Sequence, residues 1–183
     1  MSPRVFNYLL YELGWCACVL GAAWGHPWIG AGLGVVPIVV HVLRSCRRRD
    51  ALVLTLWTAA IGLVLDSAQI ALGMLRFEVG TLASWLPPPW LVLVWAQFAM
   101  TFHFGLAWLK GRPERAALFG AIGGPLAFLA GRRLGVVVLH PEVWPSLLSL
   151  AVGWSVAIPA AVWGAERQSG REGVAGYRGG PRS

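Results

Sequence analysis

The feature that most constrains this chain is a run of mainly apolar residues from 52 to 75, LVLTLWTAAIGLVLDSAQIALGML. An α-helix of about 20 such residues spans the roughly 30 Å of hydrocarbon in a bilayer, so the run is long enough to cross a membrane. It carries one carboxylate, Asp66, well inside it. Because a charged group at that depth is costly, Asp66 is a candidate functional residue, provided that a partner for it can be named.

Apolar runs of similar length recur along the chain and set its class. Hydrophobic residues make up 57% of the sequence and charged residues 13%, whereas soluble domains carry about 25% charged residues. A porin-like barrel would show segments of about 10 residues in strict alternation, and these runs do not alternate. The predicted spans cover residues 5–23, 28–43, 52–75, 90–109, 116–139 and 146–164.

The spans predict an all-α fold, a polytopic membrane protein in which residues 1–164 form a bundle of six transmembrane helices. The first run could instead be a cleaved signal peptide, because Arg4 precedes it and small residues end it. The polar Asn7 and Glu12 inside the run favour a helix that is retained. Residues 165–183 are polar, rich in glycine and basic, which predicts a disordered cytoplasmic tail.

Positive charge is distributed unevenly between the loops of this topology. With six spans, the basic loops and the tail fall on one side of the membrane. The opposite side receives only Arg76, and Arg132 and Arg133 are left in or near the membrane. Basic residues mark the cytoplasmic side, so both termini are predicted to be cytoplasmic. The residues on the basic side are Arg4, Arg44, Arg47, Arg48, Arg49, Lys110, Arg112, Arg115, Arg167, Arg171, Arg178 and Arg182.

The net charge of +7 does not predict a nucleic-acid partner. The basic residues separate apolar runs, as topology determinants do, and they do not interleave with aromatic residues on a soluble face. The sequence contains no HExxH, HxxxH or paired-cysteine spacing, so no metal site is predicted. It contains neither a phosphate-binding loop nor a nucleophile elbow, so no cofactor is predicted and enzymatic activity is left open.

Five polar side chains are predicted to meet in the outer half of the bundle. At a rise of about 1.5 Å per residue, Asp66, Gln97 and the neighbours Arg132 and Arg133 reach similar depths, and Gln69 shares a helical face with Asp66. One interpretation is a polar cluster in which one arginine pairs with Asp66 and which holds an anionic head group, a polar substrate or a proton.

Two other interpretations stay open for these residues. The charges could form a structural ion pair that sets helix register, while the second arginine extends to the outer head groups. Alternatively, the fifth span ends near Gly131 and both arginines are interfacial. The same span carries a ridge of small residues, which predicts close contact with a neighbouring helix: Gly120, Gly124, Ala127, Gly131 and Gly135.

A secondary cluster is predicted toward the cytoplasmic side. Glu12 and His103 each come about 10 Å from the inner boundary. Within reach of each other they could carry out general acid–base chemistry. The alternative is that His103 is a hydrogen-bonded packing residue.

Four stretches carry a resemblance to a known family: Asn7 with the region of Trp15, GLVLDSAQIALGMLRF at 62–77, PPPWLVLVWAQFAMTF at 87–102, and GGPLAFLAGRRLG at 123–135. In them the chain resembles a bacterial inner-membrane family known only as a domain of unknown function, DUF2878. The resemblance implies a multi-pass protein of the bacterial inner (cytoplasmic) membrane without assigned catalytic residues. Genes of this family often neighbour those of fatty-acyl-modifying enzymes, which hints at lipid metabolism.

Three hypotheses for function follow. The first is an integral membrane protein that handles a lipid or lipid-soluble substrate, or assists its modification, through the intramembrane polar cluster. The second is a small-solute or proton-coupled transporter or channel that uses the same charges. The third is a structural or assembly subunit without chemistry. The predicted partners are membrane lipids and a lipid-modifying enzyme, and the sequence leaves the oligomeric state open.

Overall fold

The computed structural model describes residues 3–102 and 105–177, with side chains for 5–102 and 105–168. The described part is helical throughout, apart from two short strands and the connecting turns, which confirms the all-α prediction. The helices are α1 Pro3–Ala23, α2 Pro27–Arg44, α3 Arg48–Ala71, α4 Pro89–Phe98, α5 Pro113–Arg133 and α6 Val143–Tyr177. The strands are β1 Leu75–Arg76 and β2 Val138–Leu139, and 3-10 turns cover Ala99–Thr101 and Ala107–Leu109.

Within the residues that the structure describes, four helices are long and apolar enough to cross a membrane, which indicates a membrane protein. They are α1 from Val5, α2, α3, and α6 as far as Gln168. Many apolar side chains on these helices are exposed, for example Val64 at 70% and Val152 at 68%. An outer surface of this kind suits a lipid environment, where apolar side chains need not be buried inside the protein.

Proline and glycine set most of the helix boundaries. Pro27, Pro89 and Pro113 each open a helix, at a position where a missing backbone N–H removes no helical hydrogen bond. Gly73 and Gly135 follow the ends of α3 and α5 with φ angles of 71° and 74°. Only glycine adopts this left-handed conformation at little cost, so these two residues terminate their helices.

The two strands mark one end of the bundle, called here the strand end. β1 and β2 pair antiparallel with Leu75 opposite Leu139. The Ser146 hydroxyl at the start of α6 donates to the carbonyl oxygen of Met74 at 2.6 Å. Gly80 of the following connector lies against Pro27, so the turn between α1 and α2 belongs to the same end.

The opposite end is called here the basic end. The backbone N–H of Gly111 donates to Glu166 Oε1 at 2.6 Å. Gln69 bonds to Ser149 near the strand end, whereas Trp57 donates to the carbonyl oxygen of Ala160, so α3 and α6 run antiparallel. The basic end therefore carries the basic residues of the loops and helix segments there: Arg44, Arg47, Arg48, Arg49, Lys110, Arg112, Arg115 and Arg167.

Several predicted boundaries are wrong. Residues 90–109 do not form one helix, because α4 ends at Phe98 and 3-10 turns follow it. The third helix ends at Ala71 instead of residue 75, and the fifth ends at Arg133 instead of residue 139, since a glycine terminates each. The sixth continues past residue 164 to Tyr177. Residues 178–183 of the predicted disordered tail lie outside the described residues.

Candidate functional site

Asp66 is fully buried, and its partner is an indole. Its Oδ2 accepts a hydrogen bond from Trp95 Nε1 at 2.9 Å. Its Oδ1 is buried and has no hydrogen-bond partner among the described residues. Gly62, one helical turn before Asp66, leaves space for the same ring, because a Cβ atom there would overlap the Trp95 indole. These two residues of α3 therefore hold the Trp95 ring, Asp66 through a hydrogen bond and Gly62 through close contact.

Neither predicted arginine reaches this carboxylate. Arg132 and Arg133 are exposed at the end of α5. The ion pairs found in the described part join Arg47 to Asp50 and Arg76 to Glu78. The predicted pairing of Asp66 with an arginine is therefore wrong, because α5 ends where both guanidinium groups emerge at its surface. The placement agrees with the interpretation in which the span ends near Gly131.

The two glutamines bind elsewhere in the bundle. Gln69 and Ser149 exchange two hydrogen bonds, from Gln69 Nε2 to the Ser149 carbonyl at 3.0 Å and from the Ser149 hydroxyl to Gln69 Oε1 at 2.6 Å. Gln97 donates to the carbonyl oxygen of Gly34 at 2.9 Å. Asp66, Gln69 and Gln97 thus connect α3 to α4, α3 to α6 and α4 to α2, and they share no hydrogen bond with one another.

The predicted secondary cluster is described only on one side. Glu12 is half-buried on α1 and lies beside Tyr8, whereas His103 lies outside the described residues. The described histidine nearby, His41, bonds to Asn7 Oδ1 at 3.1 Å. A role for Glu12 and His103 stays a prediction.

A cavity of about 240 Å³ lies beside Trp95. Its walls come from α1, the connector before α4, α4, α5, the segment after α5, and α6. Nine of its lining residues are aromatic, and the described lining contains no charged side chain. The aromatic residues are Tyr11, Trp15, Phe77, Trp90, Trp95, Phe98, Phe119, Phe128 and Trp154.

The small residues of α5 lie on two faces of the helix. A Cβ atom on Gly120 or Gly124 would overlap Trp154 of α6, so this face allows close helix packing, as predicted. Gly123 and Gly131 turn to the cavity instead, and a Cβ atom on Gly123 would meet nothing within 4 Å. Small residues on this second face therefore leave the volume open.

The cavity reaches the outer surface along α5. Its lining residues Ala127, Ala130 and Leu134 are all exposed. An engineered apolar cavity of about 150 Å³ binds benzene, and pockets for drug-sized ligands begin at about 300 Å³. The volume therefore suits one apolar ring or a short length of hydrocarbon chain that enters from the side.

The aromatic wall of the cavity is not among the features predicted from the sequence. Trp90, Val94 and Phe98 recur at i, i+4 and i+8 with Trp95 beside them, and this spacing places them on one face of α4. This spacing could have predicted an aromatic face on α4. A contact between Trp154 and α5 could also have been predicted, because Trp154 is large enough to fill the space left by the glycines of α5. The cavity itself depends on how the helices are arranged, which spacing does not give.

Among the described residues, no three His, Cys, Asp or Glu side chains come together as a metal-binding group. A model of the family described as "Protein of unknown function (DUF2878)" matches residues 4–160. No curated protein and no solved structure matches the chain.

Proposed function

Because this chain belongs to the DUF2878 family of proteins of unknown function, its activity has to be inferred from its own residues, and we propose that it binds a lipid or lipid-soluble molecule within a membrane. The proposed site is the aromatic cavity. The bound molecule would be handled there or presented to a lipid-modifying enzyme. We further propose that the protein is a multi-pass protein of the bacterial inner membrane.

The position of the loops supports six crossings with both termini in the cytoplasm. Leu75 and Leu139 lie at the strand end, whereas Gly111 lies at the basic end beside Glu166. The chain therefore runs the length of the bundle once between 76 and 110 and again between 112 and 138. Since basic loops remain cytoplasmic, the basic end is the proposed cytoplasmic face.

The observation that carries the proposal is an open, uncharged, aromatic cavity in a protein with membrane-spanning helices. In a bilayer, an apolar ligand gains little by leaving lipid for another apolar surface, so affinity must come from close packing. Rigid aromatic rings supply many such contacts, each weak but large in sum. Phe98 packs edge-on against both Trp95 and Phe102, with ring centroids 6.3 and 5.1 Å apart, so this wall is held in place before a ligand arrives.

A hydrated path for a solute or proton receives less support. Such a path needs polar groups along its wall, whereas the cavity is lined by apolar and aromatic residues. Asp66 is not among the lining residues and is separated from the cavity by the Trp95 ring that it bonds. If the cavity does not bind an apolar molecule, a structural role without a ligand is the remaining hypothesis.

Filling the cavity tests the proposal. Gly123→Leu adds a side chain at a residue that lines the cavity, and its Cβ atom would have nothing within 4 Å. Gly32→Leu is the matched control, because Gly32 is an exposed helical glycine on α2 with equally open space and does not line the cavity. Wild type and both variants are purified from membranes at equal amounts, and co-purifying apolar molecules are measured by mass spectrometry.

We expect a discrete apolar species with wild type and Gly32→Leu that is depleted at least several-fold in Gly123→Leu. Four of the lining residues are tryptophans, so a brominated hydrocarbon should also quench tryptophan fluorescence in wild type and less in Gly123→Leu. Identical retention and quenching in all three proteins would show that the cavity is not a binding site.

A further inference from the structure

The cavity is elongated along α5. Its lining on that helix runs from Phe119 to Leu134, which is about four turns, or about 22 Å at the rise of an α-helix. A volume of about 240 Å³ spread over such a length is narrow, so it suits one hydrocarbon chain better than a fused ring system. The lining residues of α5 that are exposed at the protein surface, Ala127, Ala130 and Leu134, form the mouth of the cavity.

An exposed arginine lies beside this mouth. Arg133 comes three residues after Ala130, and residues at that spacing are neighbours on the surface of a helix. Helical side chains lean toward the preceding turn, so Arg133 can extend over the turn that contains Ala130. Arg133 belongs to neither of the ion pairs that the described residues form. Its guanidinium is therefore available to an anion at the mouth.

The mouth lies close to the strand end, where a charged head group can stay hydrated. Val138, four residues after Leu134, pairs with Arg76 in the two-stranded sheet, and Arg76 forms an exposed ion pair with Glu78 at 2.8 Å. Charged side chains are rare within the hydrocarbon, so this level marks the boundary with water. An anion beside Arg133 would avoid the cost of burial, while an attached chain could still enter the cavity.

We propose that the cavity binds a single-chain amphiphile with an anionic head group. The hydrocarbon chain lies in the aromatic cavity, and the head group pairs with Arg133 at the mouth. This inference rests on the proposed function and names its ligand class: a carboxylate, phosphate or similar oxyanion on one apolar chain. The described lining carries no charged side chain, so the cavity selects the chain and Arg133 selects the head group.

Arg132 provides a matched control at the same helix end. It lies two residues after Ala130 and five after Ala127, and these spacings place it on the opposite side of α5 from the mouth. Both arginines are exposed, so Arg132→Gln and Arg133→Gln remove the same charge from the same end of the bundle. Surface substitutions of this kind usually have little effect on stability, so both variants should fold.

A matched pair of probes tests the ligand class. An ω-bromoalkyl sulfonate and the ω-bromoalkyl alcohol of equal chain length share the chain, and only the sulfonate is anionic. The bromine quenches the fluorescence of the lining tryptophans when the chain occupies the cavity. Affinities are measured by titration in nanodiscs of zwitterionic lipid, corrected for partition into the lipid and for the quenching that remains in Gly123→Leu. We expect wild type to bind the sulfonate about three- to tenfold more tightly, the value of one exposed charged contact.

The preference for the sulfonate should vanish in Arg133→Gln, while the alcohol binds as it does to wild type. Arg132→Gln should keep the preference, and so should Arg133→Lys, which conserves the charge. Added salt should reduce the preference in wild type, because an exposed ion pair is screened.

Equal affinities of wild type for the two probes, or a preference that survives Arg133→Gln, would overturn the inference and leave the proposed function standing. An equal loss of preference in Arg132→Gln and Arg133→Gln would also overturn it, because the attraction would then come from the charge of the strand end as a whole. If wild type binds neither probe, the proposed function fails and the inference fails with it.

Discussion

At the scale of single residues, Asp66 acts on the cavity through Trp95. The carboxylate is fully buried, and its Oδ2 holds the indole whose ring forms part of the cavity wall. Gly62 provides the space in which that ring lies. Asp66 is thus a positioning residue: it orients an aromatic wall without touching the contents of the cavity. This contact gives one of the two buried carboxyl oxygens a hydrogen-bond partner that is not an arginine.

A double-mutant cycle tests this role. Asp66→Leu leaves the Trp95 N–H unpaired and should lower the free energy of unfolding by about 1–3 kcal/mol, the usual cost of orphaning a buried donor. In the Trp95→Phe background the same change should cost markedly less. The cycle is measured by reversible unfolding in mixed micelles.

Arg133 provides the contrasting cycle. Because its guanidinium is exposed at the end of α5, Arg133→Gln should be additive with Asp66→Leu to within about 0.5 kcal/mol. Strong coupling of Asp66 to Arg133 together with none to Trp95 would reinstate the ion pair and refute the hydrogen bond to the indole.

Asp66 also shows how much of the site could be predicted from the sequence. Its position in an apolar run predicted a buried carboxyl that needs a partner, and the structure provides one. Spacing gave the depth of Arg132 and Arg133, but it did not give where α5 ends or which way its side chains emerge. A tryptophan N–H can also donate to a carboxyl oxygen, although it is a weaker donor than a guanidinium, and residue spacing does not show which of the two donors comes within reach.

At the scale of helices, α5 separates two tasks between its two small-residue faces. Gly120 and Gly124 admit Trp154 of α6, whereas Gly123 and Gly131 border the cavity. The ridge was predictable from its spacing, as was the close helix contact it permits. The face of α5 that borders the cavity was not predictable, because an empty volume is a property of several helices together.

Two alanine substitutions on α5 should have opposite effects. Gly120→Ala forces the new methyl group against the Trp154 backbone and should destabilise the protein by about 1–3 kcal/mol, the usual cost of overpacking. Gly123→Ala has open space and should be neutral or stabilise by up to about 1 kcal/mol, since alanine is the better helix former. Both are measured by thermal unfolding in detergent. Equal destabilisation would mean that the two faces are wrongly assigned.

The helix ends differ in whether the local sequence carries a stop signal. Gly73 and Gly135 adopt positive φ angles just after α3 and α5, and a glycine at that position is a recognised stop signal. The end of α4 at Phe98 has no such signal, because Ala99, Met100 and Thr101 follow without glycine or proline. The local sequence therefore does not mark the change to a 3-10 turn there.

At the scale of the whole molecule, the two ends of the bundle differ in charge. The basic end contains the arginines and the lysine of residues 44–50 and 110–115. Arg167 also lies there, with its guanidinium 3.8 Å from the centre of the Trp163 ring. At the strand end, Arg76 pairs with Glu78 at 2.8 Å, and Arg132 and Arg133 are exposed at the end of α5, so fewer basic residues lie there than at the basic end. Such asymmetry orients a membrane protein, and it bears on whether α4 and α5 cross the membrane with the other four helices.

Cysteine accessibility distinguishes six crossings from four. Exposed Ser84 lies in the connector at the strand end, and exposed Glu114 opens α5 at the basic end. In a Cys46→Ser background, a membrane-impermeant maleimide should label Ser84→Cys in cells with a permeabilised outer membrane and Glu114→Cys only in inside-out vesicles. Native Cys46, exposed beside the arginines, should behave like Glu114→Cys. If α4 and α5 do not cross, positions 84 and 114 face the same compartment and label together, and the proposed orientation falls.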